Sequence, residues 1–333
     1  MRIQKIALEE HFAVPETVDD SAKFMPRDVW PRLRQHLLDT HGQLLADMDA
    51  GGIEMAVLSL NSPGIQAIPR KKQAIERAQR ANDYLAEQVA KRPARFQGLA
   101  AVPLQDPDAA ALELVRCVKD LGFRGALVNG FSQIETEDSI FYSDLPQFWP
   151  FWATAESLEV PVYLHPRYPV ETRADLSGHP WLVGAVWSFG VETATHALRL
   201  MASGLFDQYP SLTVILVHLG ETLPQAIWRS DHRLGKMPRG IPAKKKLGEY
   251  LRNNFYVTTS GNFCTKTLLS TMLTLGADRI LFSADYPFEE IKEAADWFDS
   301  LDAISETDRL KIGRTNAARL LQLDKPKFAA ISA

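Results

Sequence analysis

The sequence predicts a single parallel (β/α)₈ barrel. Short apolar runs alternate with longer helical patterns from end to end, the alternation repeats eight times, and ionisable residues collect where the apolar runs stop. Eight strand-then-helix units are what a closed parallel barrel requires. Near-continuous apolar strands suit strands buried on both sides. An open doubly wound sheet also alternates, but no GxGxxG follows the first strand and eight units is the barrel's number.

Ile6, Ala7 and Leu8 open the chain as a short first strand. Residues 30–48 show helical spacing, closed by Gly51 and Gly52 as a helix stop. Residues 55–60 read as strand 2, and 72–91 as a helix with its charges on one side. Strand 3 covers 96–102. Asp106, Pro107 and Asp108 then start a helix that runs to Gly122. Strand 4 covers 125–128, and an aromatic-rich helix covers 145–158. Strand 5 covers 160–164, followed after a loop by a helical stretch over 186–206. Strands 6, 7 and 8 are read at 212–217, 255–259 and 279–282, with helices at 222–234, 265–275 and 289–301. No repeat, low-complexity tract or linker divides residues 1–333, so one domain is expected, frayed only past about residue 323. Two loops are long, 13–29 after strand 1 and 166–185 after strand 5. Long βα loops in a barrel cover the active site.

Bulk properties exclude several classes. Of 333 residues, 46% are hydrophobic and 23% charged, an ordinary globular balance. The net charge is -4 and no basic tract exceeds Lys244, Lys245 and Lys246, which argues against nucleic acid as a partner. That triplet reads as a solvated loop or helix edge. No run of about 18 apolar residues predicts a membrane span. Glu9 and Glu10 interrupt the N-terminal segment too early for a signal peptide. Cys117 and Cys264 have no CxxC neighbour, so no zinc ribbon or redox motif is available. Two isolated cysteines fit a reducing cytoplasm, both as small buried apolar residues.

In a barrel, chemistry sits where strands end and βα loops begin. Strand 1 ends in Glu9, Glu10 and His11. Alternate residues share one face of a strand, so Glu9 and His11 point the same way. Strand 5 ends in His165. Strand 6 ends in His218, with Glu221 close behind, and strand 8 runs into Asp285. Singly, each is an ordinary strand-end residue. Carboxylate oxygens and imidazole nitrogens collected at one end of one barrel suit Zn²⁺, Mn²⁺ or Fe²⁺. Strand 4 ends in Val128, Asn129, Gly130 and Phe131 with no lysine to bridge two metals, so one ion is expected. His36, His41, His179, His196 and His232 fall in helices or loops, where structural or surface roles are the default.

Five segments carry a resemblance: residues 5–12 (KIALEEHF), 125–131 (GALVNGF), 163–167 (YLHPR), 217–221 (VHLGE) and 282–287 (FSADYP). On them the chain resembles the ACMSD-like decarboxylases of the amidohydrolase superfamily, over residues 3–323. It is most similar to the γ-resorcylate (2,6-dihydroxybenzoate) type. The 2,3-dihydroxybenzoate and salicylate types typically carry Ala at the position of His11 and Asp at that of Gly130. The resemblance implies Glu9, His11, His165 and Asp285 as metal ligands, and His218 as a catalytic residue beside them supported by Glu221. It implies Phe24, Phe189 and Phe288 around an aromatic ring, with Asn129 and Arg229 nearby. It also implies one Zn²⁺ or Mn²⁺ ion, a small aromatic carboxylate substrate and a homotetramer.

Decarboxylating a phenolic acid directly would leave a poorly stabilised aryl carbanion. Protonating the carbon that bears the carboxylate avoids this, and Asp285 is the expected proton donor, with His218 hydrogen-bonded to it or to the substrate. Burial raises a carboxyl pKa and a metal lowers it, so the protonation state of Asp285 stays open at this point. The main rival is a metal-dependent hydrolase of a lactone, ester or amide, with Asp285 as general base toward water. A silent barrel acting as a binding module is a third reading. Phe12, Phe24, Phe189 and Phe288 near the strand ends favour the dry pocket of a decarboxylase.

Overall fold

The computed structural model describes residues 3–171 and 173–323, so the expected frayed tail lies outside the described residues. Eight parallel strands form a ring: β1 (Lys5–Phe12), β2 (Ile53–Leu60), β3 (Phe96–Gly98, resuming at Ala100–Ala101), β4 (Ala126–Asn129), β5 (Val162–His165), β6 (Val214–Leu216), β7 (Phe255–Thr258) and β8 (Ile280–Leu281). The break in β3 falls at Leu99. Its first half pairs with β2 and its second with β4. Leu99 N–H donates to Leu58 O (2.9 Å) and Ala100 N–H to Gly125 O (2.8 Å), so the ladder carries on across the break. The ring closes beyond β8. Asp285 N–H donates to Glu9 O (3.0 Å) and His11 N–H to Tyr286 O (2.8 Å).

The helices are α1 (Trp30–Leu38), α2 (Gln43–Gly51), α3 (Lys71–Lys91), α4 (Pro107–Lys119), α5 (Trp149–Ser157), α6 (Ser188–Ala202), α7 (Leu205–Gln208), α8 (Leu223–Lys236), α9 (Leu247–Asn254), α10 (Thr265–Leu275), α11 (Ile291–Asp299), α12 (Glu306–Leu310) and α13 (Asn316–Leu320). The helix expected over residues 30–48 is two helices. The Asp39 carboxylate accepts from the N–H groups of Gly42 (2.7 Å) and Gln43 (3.0 Å), ending one helix and starting the next. The sequence left α9, α12 and α13 unread. α9 is capped from a distance, because the Asp231 carboxylate on α8 accepts from Leu247 and Gly248 N–H (2.7 and 3.0 Å). The lysine triplet before it is exposed, as expected.

Ile6, Leu8, Val57, Leu127, Tyr163, Ile215, Tyr256 and Leu281 fill the barrel interior, and Ala317 and Ala318 of α13, with Leu321 just past its end, pack against them. A larger apolar layer lies between strands and helices. β1 holds an irregularity that sets up the site. Ala7 pairs with Ala56 and Glu10 with Leu58, three residues against two. The extra residue is a β-bulge, which re-aims side chains. Leu8 and Glu9 both face inward and His11 follows, while Ala7, Glu10 and Phe12 face away. Phe12 is therefore a correction. It packs in the outer layer with its ring 6.0 Å from Tyr84 on α3, and does not line a pocket. Cys264 is a second correction. Cys117 is buried, but Cys264 is exposed in the turn that precedes α10.

Candidate metal centre and its histidine partner

Glu9 is completely buried at the barrel's open end. Its Oε2 accepts from the hydroxyls of Tyr163 on β5, Ser260 just past β7 and Thr258 (3.3 Å). Its Oε1 has no partner and points into the site. His11 is oriented the same way. Ser59, its register partner on β2, lies 3.2 Å from Nδ1, which leaves Nε2 facing Asp285 Oδ1 at 3.2 Å. His165 ends β5 with Nε2 3.6 Å from Glu9 Oε1 and its ring edge-on to His11 (4.7 Å).

One donor atom from each of Glu9, His11, His165 and Asp285 lies within 4.8 Å of the others. Glu9 Oε1, His11 Nε2 and Asp285 Oδ1 are buried without a well-formed hydrogen bond. Orphaned polar atoms in a dry site are costly and call for a partner. Two carboxylates and two imidazoles aimed at one point fit a divalent cation of the zinc or manganese kind. The structure thus brings together the four residues that the resemblance implies as ligands.

The electrostatics agree. Burial raises the Glu9 carboxyl and Asp285 raises it further, against smaller opposing effects of His218, His11 and Ser260. Burial also lifts Asp285, but the imidazoles of His11 and His218 that face it prevail and hold it well below the usual carboxylate range. Burial, with His11 nearby, keeps His165 neutral. For His11, burial is outweighed by Asp285, which raises the imidazole above its ordinary value, and any proton on Nε2 must leave before that nitrogen takes a metal.

His218 follows β6 and stands beside the four. Residues 218 to 222 all have positive φ (51°, 57°, 80°, 52° and 66°), a left-handed coil that is unusual for non-glycine residues. The coil brings Glu221 back beneath His218, with Nδ1 and Oε1 2.5 Å apart. Nε2 then faces Glu9 Oε1 (3.6 Å) and Asp285 Oδ2 (3.7 Å). Burial would deprotonate this imidazole, but Glu221 and Asp285 raise it well above its ordinary value. The two shifts run in opposite directions, favouring a proton on His218 and charge on Asp285.

Two glycines leave room for this pair. A Cβ on Gly190 would lie 2.9 Å from Glu221 Oε2. Gly261, at φ +56°, sits against the edge of His218. The sequence reading had not singled out either glycine, nor Tyr163, Thr258 and Ser260. Hydroxyl residues inside strands carry no signal until a carboxylate is placed among them.

The aromatic residues divide. Phe288 lies 5.9 Å from the His11 ring. Phe24 stacks on Tyr168 (4.1 Å, rings parallel to 1°), and Phe189 meets the same ring edge-on (4.8 Å). Tyr168, also unread in the sequence, therefore joins the two long loops. Asn129 is buried at the end of β4 with its N–H on Gln66 Oε1 (3.2 Å) and its Oδ1 unpartnered. Arg229 is exposed on α8, and among the described residues no hydrogen bond or ion pair ties it to the cluster. The structure does not bring it to the site.

A family model described as amidohydrolase matches residues 33–323. The chain belongs to the amidohydrolase family. The gamma-resorcylate decarboxylase of Rhizobium sp. (strain MTP-10005) is 58% identical over 323 residues, covering 96% of this chain and 98% of that protein. A crystal structure of 2,6-dihydroxybenzoate decarboxylase with 2,6-dihydroxybenzoate superposes with a TM-score of 0.94 at 57% identity, covering 97% of this chain and 100% of that one. A dihydroxybenzoic acid decarboxylase from Polaromonas sp. JS666, with manganese and the inhibitor 2-nitroresorcinol, gives 0.94 at 55% identity and 99% of both chains. The barrel and the resemblance read from the sequence are both borne out.

Proposed function

We propose that this protein catalyses the reversible nonoxidative decarboxylation of 2,6-dihydroxybenzoate (γ-resorcylate) to resorcinol and CO₂. The observation that carries it is the buried cluster of Glu9, His11, His165 and Asp285 with its unpaired atoms, set against the hydrogen-bonded His218–Glu221 pair. The near-full-length match to gamma-resorcylate decarboxylases favours this over hydrolysis. One Mn²⁺ or Zn²⁺ would be held by Glu9, His11, His165 and Asp285. Bound there, it supplies positive charge for a substrate carboxylate and the neighbouring phenolic oxygen.

The chain's own residues do the rest. His218 holds a proton at Nε2, stabilised by Glu221 at Nδ1. Glu9 Oε1 (3.6 Å) and Asp285 Oδ2 (3.7 Å) are the carboxylate oxygens that face Nε2, and Asp285 is the one assigned the onward transfer. The proton passes by way of Asp285 to the ring carbon that carries the carboxylate. The carbon–carbon bond then breaks, its electron pair returns to the ring, aromaticity is restored and CO₂ leaves. Phe24, Phe189 and Phe288, with Tyr168, would bound the ring and exclude water, and Asn129 Oδ1 would take a hydroxyl hydrogen. Tryptophans 181, 187 and 228 lie exposed, which supports an oligomer, and a homotetramer is the state the resemblance implies. Among the described residues no helix is long and apolar enough to cross a membrane, and a cytoplasmic location remains part of the proposal.

The test is metal analysis of the purified protein, with CO₂ release assayed over a panel of hydroxybenzoates. Metal-replete protein that releases no CO₂ from any ortho-hydroxybenzoate would sink the proposal.

A further inference from the structure

Glu10 is the buried carboxylate of strand 1 that the reaction does not use. The bulge turns it away from the cluster, to the opposite side of β1 from Glu9 and His11. It is completely buried and no ion pair to it is found among the described residues. Its partners are all on the segment that carries Asp285. Oε1 accepts from Ala284 N–H (3.0 Å) and Ser283 Oγ–H (3.1 Å), and Oε2 accepts from Tyr286 N–H (2.9 Å). The N–H between these two, on Asp285 itself, goes to Glu9 O (3.0 Å). Three successive amides of one turn are thus held by two successive residues of β1, and a concave run of N–H groups is a natural seat for a carboxylate.

The clamped residue needs it. Asp285 has φ +84°, well outside the region that a non-glycine residue adopts unaided. In that conformation its Oδ1 meets His11 Nε2 (3.2 Å) and its Oδ2 faces His218 Nε2 (3.7 Å). We propose that Glu10 is a positioning residue, whose carboxylate holds the left-handed turn that aims Asp285 at the metal centre and at His218. The inference rests on the role given to Asp285 above. Glu10 touches neither substrate nor ligands through its side chain, and acts only through the turn.

The test is Glu10→Gln. The variant keeps the shape but must point an NH₂ group at one of the amide N–H groups, so one clamp bond becomes a donor–donor clash. A misplacement of about 1 Å at reacting groups can cost on the order of 100-fold in rate. Expected is a 10- to 100-fold fall in kcat with KM within about threefold of wild type. The Mn²⁺-loaded variant should also give an altered electron paramagnetic resonance spectrum, because one ligand has moved. The control is Asn316→Ala. Asn316 is buried remote from the site and holds Ala277 O and Ile280 O (2.8 and 2.9 Å), so its loss should lower stability with kcat and spectrum unchanged.

A Glu10→Gln protein with wild-type kcat and spectrum overturns the proposal. So does a kcat loss no larger than that of the control at equal loss of stability. Should Glu10→Gln not fold, Glu10→Asp draws the carboxylate back from the turn without adding a donor and is judged by the same two readouts. If wild-type protein releases no CO₂, the functional reading fails, while the manganese spectrum still reports whether Glu10 places Asp285.

Discussion

The three hydroxyls on Glu9 Oε2 make a sharp test of the metal centre. Tyr163→Phe removes one of them and leaves the ring in the barrel interior. Burial raises the Tyr163 phenol well above its ordinary value, so it stays protonated and can only donate to Glu9. A hydrogen bond to a charged acceptor contributes about 1.5–3 kcal/mol. Ser260 and Thr258 still hold the carboxylate, and Thr258 keeps Ser260 as a partner (2.8 Å), so the loss should lie near the lower end. At about 1.4 kcal/mol per tenfold, Mn²⁺ should bind roughly 10- to 100-fold more weakly, as for other supports of metal ligands. The pH dependence gives a second reading. Metal binding needs charged Glu9. Burial already raises this carboxyl and hydroxyl donation opposes the rise, so removing a donor raises it further. The pH of half-saturation should therefore move up. Calorimetric titration of Mn²⁺ into metal-stripped protein at several pH values reads both. Affinity within twofold of wild type and an unmoved pH midpoint would refute the reasoning.

Four further outcomes are expected. Asp285→Asn, assayed where metal is still bound, should lose about 10²- to 10⁴-fold in kcat, the range for a positioned proton donor; near-normal turnover would remove Asp285 from the proton path. Glu221→Gln should free the His218 proton at lower pH, because Glu221 helps hold it, and the alkaline limb of the kcat profile should move down. Stripping the metal should lower Tm, with about 2.7 kcal/mol regained at a Mn²⁺ concentration 100 times Kd; an unchanged Tm on chelation would contradict the site. His196 is buried, with Nε2 accepting from Ser143 N–H (3.3 Å), and burial pushes it down to about 3. Unfolded, it titrates near 6.5, so between those values the unfolded chain binds the extra proton and stability falls as pH falls, by about 1.4 kcal/mol per pH unit. Denaturant curves of wild type and His196→Gln should diverge over that window, and parallel curves would count against it.

How much of this was legible beforehand varies with how local the cause is. The strands were legible because barrel strands are apolar on both faces. Glu9, His11, His165, His218 and Asp285 were legible because strand ends are where chemistry sits. The face of β1 was not. Simple alternation from Ile6 and Leu8 would turn Glu10 inward, and only the pairing with β2 reveals the extra residue. Phe12 was misplaced for the same reason. The break at Asp39 to Gly42 left a trace, an Asp and a Gly among helix formers, which helical spacing overrode. The start of α9 left none, because its cap comes from Asp231 on another helix. The hydroxyl set on Glu9 comes from β5 and β7, so no linear pattern could announce it.

The bulge in β1 has an engineering meaning. It acts as a phase adjuster between two halves of one strand. Below it, Ile6 and Leu8 follow the alternation the packed interior requires. Above it, Glu9 and His11 follow one that suits the open end. The two halves can be altered separately. The interior can be repacked around Ile6 and Leu8 without turning the ligands, provided the length of the strand is kept. A strand that ran on from Leu8 in unbroken alternation, with no bulge, would leave the composition intact and exchange the sides of Glu9 and Glu10. The chain would keep every ligand and lose the site.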